Sequence, residues 1–158
     1  MKSSAVSIFK IGYRIAVMTP RDTTLALIET YYQRFNAGGD RSSFLELLTD
    51  DVEHPVNQGG IECGKAAFRQ FLQRMDRCYR ERIVDVVVMV STDGLHAAAE
   101  FTVEGAYLQT DDGLPPARGQ PYRLPAGAFF RLRGGQVARV AVHYNLAEWM
   151  RQVGGSAV

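Results

Sequence analysis

From Leu25 the apolar positions fall at three- and four-residue steps, Leu25, Ile28, Tyr32 and Phe35, which is the period of a helix. Asp22 and Thr23 offer N-caps, and Asn36-Ala37-Gly38-Gly39 supplies the stop. Asp40 caps a short second helix carrying Phe44, Leu45, Leu47 and Leu48. Val52–Gln58 is short and extended, because Pro55 disfavours helical backbone at His54. A third helix runs from Lys65 to about Tyr79, with Phe68, Phe71, Leu72, Met75 and Tyr79 on one face. Beyond it the period becomes two. Arg82–Val90 is a strand with Val84, Val86, Val88 and Val90 on one side, and Ser91-Thr92-Asp93-Gly94 is its hairpin turn. Leu95–Leu108 follows, with Ala97, Ala99, Phe101, Val103 and Tyr107 sharing a face. After the loop at 111–119, Tyr122–Arg133 and Gln136–Tyr144 flank Gly134-Gly135, a two-residue hairpin signal. Helices first and a meander of strands afterwards predict an α+β domain with its helices on one face of a curved antiparallel sheet.

This domain is expected over residues 22–150, with residues 1–21 as an N-terminal extension and 151–158 as a tail. Phe9, Ile11, Tyr13, Ile15 and Val17 alternate with Lys10, Gly12, Arg14 and Ala16, so the extension reads either as an added strand or as sequence ahead of a true start at Met18. Lys10 and Arg14 break the apolar run that a signal peptide needs.

Composition changes this picture little. The chain has 158 residues, 46% hydrophobic and 22% charged, with a formal net charge of +1, which predicts one soluble globule. That balance offers no footprint for nucleic acid or an anionic membrane surface. The run Arg69, Arg74, Arg77, Arg80 and Arg82 alternates with Asp76 and Glu81 and reads as a solvated helix face. Cys63 and Cys78 lack zinc spacing and read as free thiols, so no metal is expected. A cytoplasmic location is expected, and no apolar run approaches membrane-spanning length.

Four phrases carry a resemblance: Tyr32-Gln33-Arg34-Phe35-Asn36-Ala37-Gly38-Gly39-Asp40, Leu47-Leu48-Thr49-Asp50-Asp51-Val52-Glu53-His54-Pro55, Gly64-Lys65-Ala66-Ala67-Phe68 and Arg133-Gly134-Gly135-Gln136-Val137. Together they resemble the NTF2-like superfamily, in particular the ketosteroid isomerases and the SnoaL-type polyketide cyclases. Asn57-Gln58-Gly59-Gly60, Cys78-Tyr79-Arg80-Glu81-Arg82 and Leu124-Pro125-Ala126-Gly127-Ala128-Phe129-Phe130 are similar to a bacterial ketosteroid isomerase-related subgroup. The resemblance implies an NTF2-like (cystatin-like) cone with three N-terminal helices, a small apolar molecule as partner, a homodimer and no cofactor.

Ketosteroid isomerase moves a proton beside a carbonyl with a carboxylate base, while a tyrosine and a protonated aspartate hold the enolate oxygen. Carried over by motif, the tyrosine falls on Tyr32, the base on His54, and the second donor near Pro125, which has no side-chain donor and no N–H. The implied site is therefore one donor short. His54 reads equally as a base titrating near neutrality and as a wall residue bonded to its neighbours. Tyr32 sits on an apolar helix stripe, where packing is the plainer role. Asn57 either presents its amide at the pocket mouth or builds the turn. Phe68, Phe101, Phe129, Val140, Val142 and Tyr144 are the expected pocket walls. His143 is expected to point away from them, Glu100, Glu104 and Asp85 to face outward, and Trp149 to anchor the C-terminus.

The expected function is a cofactor-free isomerase or lyase acting on a small apolar carbonyl compound, and the alternative is a non-catalytic small-molecule binder on the same fold. No phosphate loop, dinucleotide fingerprint or nucleophile elbow points elsewhere.

Overall fold

A computed structural model describes residues 18–57 and 59–154. The possible strand Phe9–Val17 and the residue Gln58 lie outside them. The chain order is α1 (Pro20–Ala37), α2 (Ser42–Leu45), β1 (Leu48–Pro55), β2 (Ile61–Cys63), α3 (Lys65–Cys78), β3 (Tyr79–Val90), β4 (His96–Tyr107), β5 (Gln120–Arg133), β6 (Gln136–Tyr144) and α4 (Leu146–Gly154). The strands form one curved, unclosed sheet in the order β2-β1-β6-β5-β4-β3. All neighbours are antiparallel except β1 and β6, which run parallel.

Helix α1 begins earlier than Asp22. Thr19 is its N-cap, Pro20 occupies the first turn, and Asp22 closes a capping box by accepting from the Thr19 N–H at 3.0 Å. The helix lies against β3 and β4. Thr24 donates to the Gly94 carbonyl at 2.6 Å, and a Cβ on Gly94 would come within 2.7 Å of the Pro20 backbone. The β3–β4 turn therefore needs glycine twice over, for its φ of 72° and for the helix above it.

The core lies between the helices and the concave face of the sheet. Tyr31 packs within 5.3 Å of Phe130 and 4.7 Å of Phe44, and Phe44, Phe68, Leu72, Val137 and Val140 are almost wholly buried. Each such side chain contributes roughly 1.5–3 kcal/mol of transfer free energy. At the C-terminus Trp149 packs on Tyr107, Tyr122 and Tyr79. Helix α4 continues to Gly154, with Val153 fully buried, so residues 151–154 belong to the packed body.

Two strand irregularities change which residues face the core. In β3 the register shifts between Val84 and Val87, with Asp85 at a φ of 56°. This bulge puts Val84 on the outer face opposite Thr102, while Val86, Val88 and Val90 pack on the core. The expected single row of four valines is thereby split. In β6 the extra residue falls at Ala138, between the pairs Leu132↔Val137 and Arg131↔Arg139. Among the described residues no helix is long and apolar enough to cross a membrane.

Candidate functional site

The concave face and the helices enclose a cavity of about 160 Å³. His54, Asn57, Tyr32, Phe68, Phe101, Val140, Val142 and Tyr144 all line it.

His54 is held from two sides. In the β1–β2 hairpin it is the direct cross-strand partner of Glu62, so both side chains share a face. Its Nδ1 lies 3.3 Å from Glu62 Oε2. A carboxylate only accepts, so Nδ1 carries the hydrogen and donates, leaving the lone pair on Nε2. Phe68 and Phe71 of α3 flank the ring at 4.8 and 4.4 Å between centroids. Burial lowers the imidazole pKa below its ordinary value. The Glu62 hydrogen bond and charge pull it back up, and Arg74 nearby pushes it down again. His54 is consequently neutral at neutral pH and able to take a proton.

Tyr32 is 6% exposed, and its hydroxyl is buried without a hydrogen-bond partner among the described residues. An unsatisfied buried hydroxyl costs roughly 1–3 kcal/mol. Burial pushes its pKa well above the usual phenol range, so the hydroxyl stays a donor. A ligand oxygen in the cavity would satisfy it.

Asn57 donates to the Tyr144 carbonyl at 3.4 Å, tying the turn after β1 to the end of β6. Phe129 is the misplaced wall residue. It is 57% exposed and meets His143 edge-on at 5.7 Å on the convex face, while Phe130 takes the wall position. The inward residues of β5 are Tyr122, Leu124, Ala126, Ala128, Phe130 and Leu132, and strand alternation sends Phe129 outward. The same alternation turns Pro125 outward, opposite Thr102. Its inward neighbours Leu124 and Ala126 are apolar, so this stretch of β5 offers no second side-chain donor. Strand β6 ends opposite Ala126, which leaves Pro125 paired on one side only and makes a proline tolerable there. Glu100, Glu104, Asp85 and His143 all face outward.

Several polar groups in the cavity wall were not foreseen. Helix α3 ends at Cys78, so Arg80, Glu81 and Arg82 belong to β3 and not to a solvated helix face. Arg80 and Arg82 point outward, but Glu81 shares the inner face with Tyr79 and Ile83 and lines the cavity. Tyr122 donates to Glu81 Oε1 at 2.5 Å. Asp111 accepts from Tyr79 at 3.0 Å, lies 3.7 Å from Arg74, and its own N–H donates to the Tyr107 hydroxyl at 2.8 Å. These bonds pin the 108–119 loop over the cavity and bring Asp111 and Leu114 into its wall. Parity in β3 could have found Glu81. The contacts of Asp111 depend on loop packing that no local pattern encodes.

A SnoaL-like domain model matches residues 28–140. The chain belongs to the SnoaL-like family. Among solved structures, a proposed polyketide cyclase from Pseudomonas putida KT2440 shares 53% identity over 87% of this chain and 99% of its own, with a TM-score of 0.79. A proposed polyketide cyclase from Xanthomonas campestris pv. campestris shares 48% identity over 85% and 98% of the two chains, with a TM-score of 0.81. A proposed isomerase from Bacillus subtilis, 19% identical over 88% and 98% with a TM-score of 0.71, shares the fold. A comparison with curated proteins gives no match. This SnoaL-like chain has both cysteines free, with Cys63 exposed and Cys78 buried. Among its described residues no cluster of three or more His, Cys, Asp or Glu side chains could hold a metal ion.

Proposed function

We propose that this SnoaL-like protein moves a proton next to the carbonyl of a small apolar compound without a cofactor, with His54 as base and Tyr32 as oxyanion donor. One observation supports the reading above others. A neutral imidazole oriented by a carboxylate and a buried tyrosine hydroxyl lacking a partner among the described residues sit on the walls of one mainly apolar cavity. In the reaction Nε2 takes the proton from the carbon beside the carbonyl, the C–H pair becomes the enolate double bond, and Tyr32 donates to the oxygen. The imidazolium then returns the proton to the same skeleton, at the original carbon or further along the conjugated system. A volume of about 160 Å³ is below the common range for drug-sized ligands and suits a molecule of about one ring. The apolar inner side of β5 at Leu124 and Ala126 favours a second reading, a binder without turnover.

The test is conversion of 3-cyclohexen-1-one, a single-ring β,γ-unsaturated ketone, to its conjugated isomer, followed by absorbance. A pH profile of kcat/KM is expected to fall on the acid side with a midpoint below the ordinary imidazole value of about 6.5, because the base must be neutral and its pKa is lowered. Glu62→Gln removes the groups that raise that pKa, so its acid limb is expected to move to still lower pH. A limb that stays in place would separate Glu62 from the base.

The proposal includes a homodimer through the convex face. Met89, Ala98, Phe129 and Ala141 are successive cross-strand partners and form one apolar row, with Met89 51% and Phe129 57% exposed. Glu100 flanks the row on one side, and His96, Arg131 and Arg139 flank it on the other. Light scattering is expected to give a dimer for the wild type and a monomer for Phe129→Glu; a monomeric wild type would remove this part.

A further inference from the structure

The cavity has a polar group at the opposite edge of the sheet from His54. Strand β1 carries His54 and β3 carries Glu81, and β6, β5 and β4 lie between them. The construction around Glu81 is specific. Glu81, Gly105 and Tyr122 are successive cross-strand partners on three neighbouring strands. The Tyr122 ring lies across Gly105, where a Cβ would stand 2.3 Å from Tyr122 Cζ and 2.6 Å from its hydroxyl. Gly105 is thus a slot through which the ring crosses β4 to reach the carboxyl beyond it. Trp149 backs the ring at 6.0 Å between centroids.

Support of a fold does not call for this arrangement. A carboxyl placed against apolar walls carries a desolvation cost, and an apolar pair at the two positions would avoid it. Glycine in a strand interior also weakens the strand. Tyr122 occupies Oε1, and Oε2 has no protein partner among the described residues. Burial raises the Glu81 carboxyl above the ordinary carboxylate range, against the hydrogen bond from Tyr122.

We propose that Glu81, fixed by Tyr122 through the Gly105 slot, binds a second oxygen of the ligand, so that the preferred molecule is a one-ring carbonyl compound carrying a hydroxyl remote from the carbonyl. This rests on the reading of the cavity as a carbonyl-compound site, and it adds the feature that selects among such compounds. The ligand hydroxyl donates to the free carboxylate oxygen, or accepts from it when the carboxyl is protonated.

The experiment compares acetophenone with 3-hydroxyacetophenone and 4-hydroxyacetophenone by calorimetry, on the wild type, Glu81→Leu, Glu81→Gln and Gly105→Ala, with thermal melts to confirm folding. Wild type is expected to bind at least one hydroxy ketone about tenfold or more tighter than acetophenone, the size of one hydrogen bond to a charged group. Glu81→Leu is expected to bring that ratio close to one. Glu81→Gln retains part of the ratio, and Gly105→Ala reduces it by displacing Tyr122, with the carboxyl still present. If Glu81→Leu fails to fold, the Gly105→Ala ratio decides alone. Acetophenone bound by the wild type with no preference for either hydroxy ketone, or a preference that survives these variants, overturns the Glu81 assignment and leaves the cavity reading standing. No binding of any of the three ketones overturns both.

Discussion

Replacing His54 by alanine is expected to lower turnover of a small β,γ-unsaturated ketone by roughly a hundred- to ten-thousandfold, the contribution of a positioned general base. The basis is geometric. Glu62 fixes the Nδ1–H tautomer, Phe68 and Phe71 fix the ring plane, and Nε2 is left as the one basic nitrogen. Desolvation keeps that nitrogen unprotonated at neutral pH. The same shift links to stability. The folded pKa lies below the unfolded one, so the contribution of neutral His54 is present above about pH 6.5 and is lost as pH falls through the folded value. His54→Ala should therefore flatten the acid side of the stability profile as well as abolish the acid limb of activity. A variant that keeps wild-type turnover would show that His54 only fills the wall.

Tyr32→Phe is expected to act in opposite directions on rate and on stability. Loss of one oxyanion donor typically costs about a hundred- to a thousandfold in kcat. Removing a buried hydroxyl that has no partner should leave the melting temperature unchanged or raise it, since the desolvation cost of that group disappears. The phenylalanine keeps the ring contacts with Tyr31 at 5.4 Å and Phe101 at 5.3 Å. Thermal melts beside kinetics check both halves. A destabilised variant would mean that the hydroxyl is bonded within the protein, and an equally active one would remove the oxyanion role.

Much of the fold is readable in sequence because its elements are locally consistent. The stripe Ile28, Tyr32 and Phe35 on α1, the alternation through β4 and the Gly134-Gly135 hairpin each point to what forms. What escapes local reading is where alternation restarts. The Asp85 bulge moves Val84 to the opposite face from Val86, and the early end of α3 places Glu81 on a strand. Phe129 and Phe130 differ by one position, and only the register with β4 and β6 decides which enters the cavity. His54, Tyr32 and Asn57 stand out in the sequence only through the family phrases they sit in. The pairing of His54 with Glu62 follows from the hairpin register, and the Glu81–Tyr122 contact follows from a glycine on the strand between them. Neither partner is near its counterpart in a recognisable motif.

The most direct test of the central claim is the isomerisation of 3-cyclohexen-1-one by purified wild type, His54→Ala and Tyr32→Phe, all confirmed folded, at a pH above the acid limb. The account predicts turnover above buffer for the wild type and its loss by at least about a hundredfold in each variant. Turnover that neither variant alters, or a ketone bound in the cavity without conversion, would contradict catalysis by these two residues and leave the chain as a SnoaL-like binding protein.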